Sequence, residues 1–147
     1  MTLGDAHASH SGDVGVTRIA LVVLNAFLGL TAVVGGLGLL LGWYEPPPVE
    51  LLRDSPFGSY TRPALYLLVV MGGGGLVAAV AVQRRHELGA PASGVAGAMT
   101  IGFEVVQMLI IGFSWLQILY LVVGALGVLL AARMWRAGRI PRRTRVR

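Results

Sequence analysis

From Ala92 to Met134 the chain is an unbroken apolar run about twice the length of one bilayer crossing, so it must turn back on itself. Gly112-Phe113-Ser114-Trp115-Leu116-Gln117 is the place for that turn, since it groups a glycine, a serine, an amide and an interfacial tryptophan. The run therefore divides into a third span over roughly 93–113 and a fourth over roughly 116–134. Within it Glu104 is the one ionisable side chain before Arg133, apart from the weakly acidic phenol of Tyr120. A charged side chain at that depth costs about 2.5–3.5 kcal/mol on insertion scales, so Glu104 should face protein or water.

Two further spans precede this hairpin. Residues 18–43 are uncharged after Arg18, long enough to cross a core of about 30 Å, and end in the interfacial aromatics Trp43 and Tyr44. The stretch reads as a retained helix rather than a cleaved signal, being too long and lacking a basic segment or a small-residue cleavage pattern. Residues 63–83 follow Thr61-Arg62-Pro63, a cap candidate with a first-turn proline, and stop at Gln83-Arg84-Arg85. Composition agrees: 55% apolar residues, 13% charged residues and a mean hydropathy of +0.73 lie far from soluble averages. With 147 residues, most of them in spans, no separate soluble catalytic domain fits. Cysteine is absent, which excludes disulfides, thiolate metal sites and cysteine nucleophiles.

The expected architecture is thus all-α: a polytopic membrane protein with four transmembrane helices in an antiparallel bundle over 18–134. A disordered N-terminal tail over 1–17, an external loop over 44–62 and a basic tail over 135–147 complete it. Orientation follows from the arginines, because short loops rich in Lys or Arg stay in the cytoplasm. Arg18, Arg84, Arg85 and the seven arginines from Arg133 to Arg147 fall on one side, and Arg53 and Arg62 on the other. Both termini are therefore expected in the cytoplasm. All 12 basic residues are Arg, which with heavy Ala, Gly, Val and Leu usage points to a GC-rich bacterial coding sequence and to a multi-pass protein of the bacterial inner membrane.

On the third span, steps of about 100° place Ser93, Gly97, Thr100, Glu104 and Gln107 on one stripe, with Met99, Val106 and Leu109 opposite. If the stripe faces the bundle, Glu104 and Gln107 can share hydrogen bonds with Asn25 or Tyr120. Glu104, Gln107, Thr100, Asn25 and Tyr120 are accordingly the candidate ligand- or ion-binding residues. Two readings compete: a binding site, which intramembrane ionisable groups favour by default, and a satisfied polar clamp between helices. No Lys, Arg or His lies at the depth of Glu104 to neutralise it.

Other patterns carry blander expectations. Gly38 and Gly42 have the spacing of a close-packing pair, and Gly72 to Gly75 could produce a kink or a groove. The proline-stiffened loop holding Glu50, Arg53 and Asp54, with Leu51 and Leu52 beside them, reads as a connector that could also cover the bundle mouth or dock a partner. Arg133, Arg136, Arg139, Arg142 and Arg143 suit an anionic lipid surface, at about 1 kcal/mol each. Nucleic acid is not expected, because Trp135 is the only aromatic among these arginines. His7 and His10, flanked by Asp5 and Asp13, lack anything to preorganise them, so no metal site is expected.

The Gly102-Phe103-Glu104-Val105-Val106-Gln107 segment, the Ser-Trp-Leu-Gln stretch with Tyr120 and Gly124, and the Ser55-Pro56-Phe57 plus Tyr60 loop resemble a group of small, uncharacterised four-helix membrane proteins of actinobacteria. The likeness covers 24–131 and implies the fold, but no activity. In size and helix count the chain is also similar to DoxX-like membrane proteins, without their arginine-glycine-phenylalanine pattern in the first helix.

The functional expectation is a binding or accessory protein whose Glu104 stripe lines a pocket for a lipid- or quinone-like ligand. The alternative is an oligomeric transporter or channel subunit with Glu104 as its proton or cation site. The partners implied are membrane lipids and either further copies of the chain or another membrane protein; no cofactor is indicated. No second carboxylate, His or metal cluster at the depth of Glu104 completes an acid–base pair, so the reading leans against an enzyme. An outer-surface site with Glu45, Glu50 or Asp54 is the best enzymatic option.

Overall fold

The structure, a computed structural model, describes residues 3–46, 48–53 and 57–138, with side chains from Val14 onward. Among these residues the chain is all-helical. Helix α1 spans Leu3–Leu41; a short 3-10 turn, Val49–Leu52, follows in the loop. The next span is composite: α2 (Thr61–Leu65), a π-helical segment (Tyr66–Gly73) and α3 (Gly74–Gln83) run on without a break. Helices α4 (Gly89–Ile111) and α5 (Trp115–Gly138) complete the fold. Four stretches are long and apolar enough to cross a membrane: Val14–Leu41, Thr61–Gln83, Gly89–Ile111 and Trp115–Gly138.

The helix ends have local causes. Gly42, at φ +67°, stops α1, and the Trp43 amide donates to the Gly38 carbonyl at 2.9 Å, so the span closes before Trp43 rather than after it. Gly38 and Gly42 are therefore not a helix-packing pair: Gly38 makes room for the Tyr44 ring and Gly42 turns the chain. Gly112, at φ +83°, ends α4 inside the expected turn. Helix α5 then opens on a capping box in which the Ser114 amide donates to Gln117 Oε1 (2.7 Å) and the Leu116 amide to Ser114 Oγ (3.2 Å).

Two starts differ from expectation. Helix α1 begins at Leu3, where a disordered tail over 1–17 was expected, because extending an existing helix needs no new nucleus. The His7 and His10 side chains lie outside the described residues. Helix α4 begins at Gly89 rather than Ser93, since Pro91 falls in the first turn, where a missing amide donor costs nothing.

Each span packs against the next along the chain, and α5 returns to α1. Helices α4 and α5 touch backbone to backbone: a Cβ at Gly97 would sit 2.6 Å from the Gly124 carbonyl oxygen. Leu21, Val82 and Ala131 form a compact core at the Arg18 end of the bundle. The outward faces carry large exposed apolar residues on every span, including Leu30, Val77, Leu109 and Leu129. An apolar surface of that extent suits lipid rather than water.

Candidate functional site

A cavity of about 830 Å³ occupies the half of the bundle nearest the 42–60 loop. That volume is within the range of small-molecule sites. Its walls come from the second half of α1, the π-helical segment, the second half of α4 and the first turns of α5.

The α4 stripe supplies the polar wall. Ser93, Gly97, Thr100 and Glu104 are the buried face of the helix, and Gln107 is half-buried one turn beyond Glu104. Glu104, only 5% exposed, lines the cavity together with Gln107 and Tyr120. No hydrogen bond or ion pair from another described residue reaches the Glu104 carboxyl, and its oxygens are not sealed inside protein. The expected sharing of hydrogen bonds among Glu104, Gln107, Asn25 and Tyr120 is not what the structure shows. The polar atoms of Glu104, Gln107 and Tyr120 line the cavity instead, with no hydrogen-bond partner among the described residues.

Asn25 and Thr100 are elsewhere. Asn25 Nδ2 donates to the Leu21 carbonyl and to Ser93 Oγ, both at 2.8 Å, and Ser93 Oγ donates on to the Gly89 carbonyl at 2.8 Å. This relay is a polar clamp between α1 and α4, nearer the Arg18 end of the bundle than the cavity lining. Thr100 Oγ1 donates to Ala96 within its own helix at 2.9 Å, and neither Asn25 nor Thr100 lines the cavity. The stripe therefore splits into a structural half around Ser93 and an open half around Glu104.

Aromatic and loop residues complete the walls. Tyr66 stacks on Phe103 with centroids 5.5 Å apart and ring planes 13° from parallel; Phe27 and Tyr120 stack at 6.0 Å and 22°. Tyr66 belongs to the π-helical segment, a geometry concentrated at functional sites. The Gly72 to Gly75 run itself stays off the cavity. The loop is more than a connector, because Leu52, 4% exposed, and the half-buried Phe57 and Tyr60 form part of the wall, as does the exposed Arg62. The Tyr60 hydroxyl is buried without a hydrogen-bond partner among the described residues. Burial, and then the Glu50 charge, push its pKa above the ordinary range, so at neutral pH it is a proton donor. Tyr66 and Phe103 carried a signal in sequence, one beside the second span's entrance and one beside Glu104. Leu52 carried none.

Among the arginines expected at a lipid surface, Arg133 and Arg136 are exposed in the last turns of α5, and Arg139, Arg142 and Arg143 lie outside the described residues. Set against protein-family models, curated proteins and solved structures, the chain matches none of them, so the likeness to actinobacterial four-helix proteins stands on its short motifs alone.

Proposed function

We propose that this protein binds a lipid- or quinone-like molecule inside the membrane, in the cavity that Glu104 lines, and serves as a binding or accessory protein. The observation that carries the reading is a nearly buried carboxyl with no protein partner among the described residues, on the wall of a cavity of about 830 Å³. A ligand hydroxyl or amine would give this carboxyl the hydrogen bond that no described protein group supplies, a net gain of about 0.5–1.5 kcal/mol. The paired rings of Tyr66 and Phe103 favour a ligand with a flat or unsaturated portion. In the proposed setting four helices run antiparallel in a bacterial inner membrane, with both termini cytoplasmic, the cavity toward the outer leaflet and Arg133 and Arg136 at the inner one.

A proton or cation site for transport draws on the same free carboxyl. The layout favours binding over conduction: along α1 and α4, the Asn25–Ser93 clamp lies between the linings of this cavity and of the one at the other end. Native mass spectrometry of protein purified from its membrane tests the choice. A retained small molecule, lost in Glu104→Gln and in Phe103→Ala, is the expected result. A ligand-free protein in every lipid environment tried would overturn it, and ion flux in liposomes abolished by Glu104→Gln would establish the transport reading instead.

A further inference from the structure

The opposite end of the bundle holds a second cavity, of about 770 Å³, lined by Arg18, Arg85, His86 and Glu87 over an apolar floor that includes Val82 and Met134. Its cations come from two separate elements, α1 and the α3–α4 turn. The turn is built as a Schellman cap. The His86 amide donates to the Ala81 carbonyl at 2.9 Å, the Arg85 amide to the Val82 carbonyl at 3.1 Å, and Arg85 takes the left-handed conformation at φ +55°. Glycine is the residue that position ordinarily takes, since a side chain there is disfavoured. Arginine in that conformation, with its side chain lining a cavity, carries local strain of the kind that clusters at functional sites.

His86 adds a donor. The Leu88 amide donates to His86 Nδ1 at 3.2 Å, so the neutral ring carries its hydrogen on Nε2. Two guanidinium groups and an imidazole N–H around an apolar-floored cavity match a tetrahedral oxyanion attached to apolar chains. Glu87 is the only acid among the described residues lining it.

We infer that this second cavity binds a phosphate group, held by Arg18 and Arg85, and that the phosphate belongs to an anionic phospholipid or to a soluble phosphate. This cavity shares no lining residue with the Glu104 cavity, and neither Arg133 nor Arg136 lines it. The test uses the full chain in detergent, titrated with dioleoylphosphatidylglycerol, dioleoylphosphatidylcholine or inorganic phosphate and read by native mass spectrometry. Arg85→Gly and Arg18→Gln are expected to weaken phosphatidylglycerol binding by about five- to tenfold. Arg84→Gln, which removes the same charge one residue away and outside the cavity lining, changes it less than about twofold.

Glu87→Gln tightens binding. Arg85→Gly keeps or raises the melting temperature, because glycine suits the φ of that position, so weaker binding there cannot come from a damaged fold. Displacement of phosphatidylglycerol by millimolar inorganic phosphate identifies a soluble phosphate as the source; binding of phosphatidylglycerol that inorganic phosphate does not displace identifies the lipid. Equal losses in Arg84→Gln and Arg85→Gly, or phosphatidylcholine binding as tight as phosphatidylglycerol, would overturn the proposal, since either means diffuse attraction or non-specific lipid contact.

Discussion

Asn25 and Glu104 are both polar, both nearly buried at 3% and 5% exposure, and both sit within stretches apolar enough to cross a membrane, yet their surroundings are opposite. Around Asn25 the helices close: its amide bonds Ser93 and Leu21, and the Leu21–Val82–Ala131 core packs beside it. Around Glu104 they part, and the carboxyl lines a cavity. Burial alone does not tell these two groups apart; the presence of a protein partner does. A satisfied amide stabilises its surroundings, whereas a carboxyl that no described residue bonds, on a cavity wall, has its oxygens available to a ligand.

That contrast can be broken from either side. The severest test of the closed region is Gly97→Leu, which forces α4 away from the Gly124 backbone. A loss of about 3 kcal/mol or more is expected, seen as failure to purify a monodisperse species in detergent. Next comes Asn25→Ala, expected to cost about 1–3 kcal/mol in thermal unfolding, because the amide that joins Ser93 Oγ to the Leu21 carbonyl is lost. Glu104→Leu should behave differently, leaving stability within about 1 kcal/mol of wild type or raising it, because no protein bond is lost. A melting temperature that falls as far as in Asn25→Ala would show that Glu104 is a clamp after all.

The smallest effect is at the loop. The Tyr44 hydroxyl donates to the Gly35 carbonyl at 2.7 Å, and burial raises its pKa above the ordinary 10.0. A phenol whose folded value is raised contributes fully below pH 10 and loses that contribution as pH climbs through the folded value. The stability gap between wild type and Tyr44→Phe is therefore expected at neutral pH and to vanish in strong alkali, as thermal unfolding at a series of pH values would record.

How far the sequence anticipates this depends on which distances matter. Span number follows from apolar length, the α4–α5 turn from Gly112 and Ser114, and the buried face of α4 from the spacing of Ser93, Gly97, Thr100 and Glu104. All of these are properties of one helix or one turn. The pairing of Asn25 with Ser93 rather than Glu104 depends on the relative depth of α1 and α4, which no local pattern encodes. The same holds for Leu52, whose burial follows from where the loop folds back, and for the start of α1 at Leu3, where helix propagation prevails over a composition that reads as loop. Arg85 is a related case: its neighbours mark the end of a helix, but its conformation appears only once the cap has formed.

The π-helical segment has a consequence for how this span would look under exhaustive mutagenesis. Its backbone bonds reach one residue further than those of α2 and α3, so side chains before Tyr66 and after Gly73 do not fall on one continuous helical wheel. Tolerance to substitution plotted with a single period across residues 61–83 would blur into apparent noise. Plotted as two phases that join within the segment, the same measurements would resolve into one face that meets α1 and another that borders the cavity. The phase slip itself would be the experimental signature of the π-helical turn.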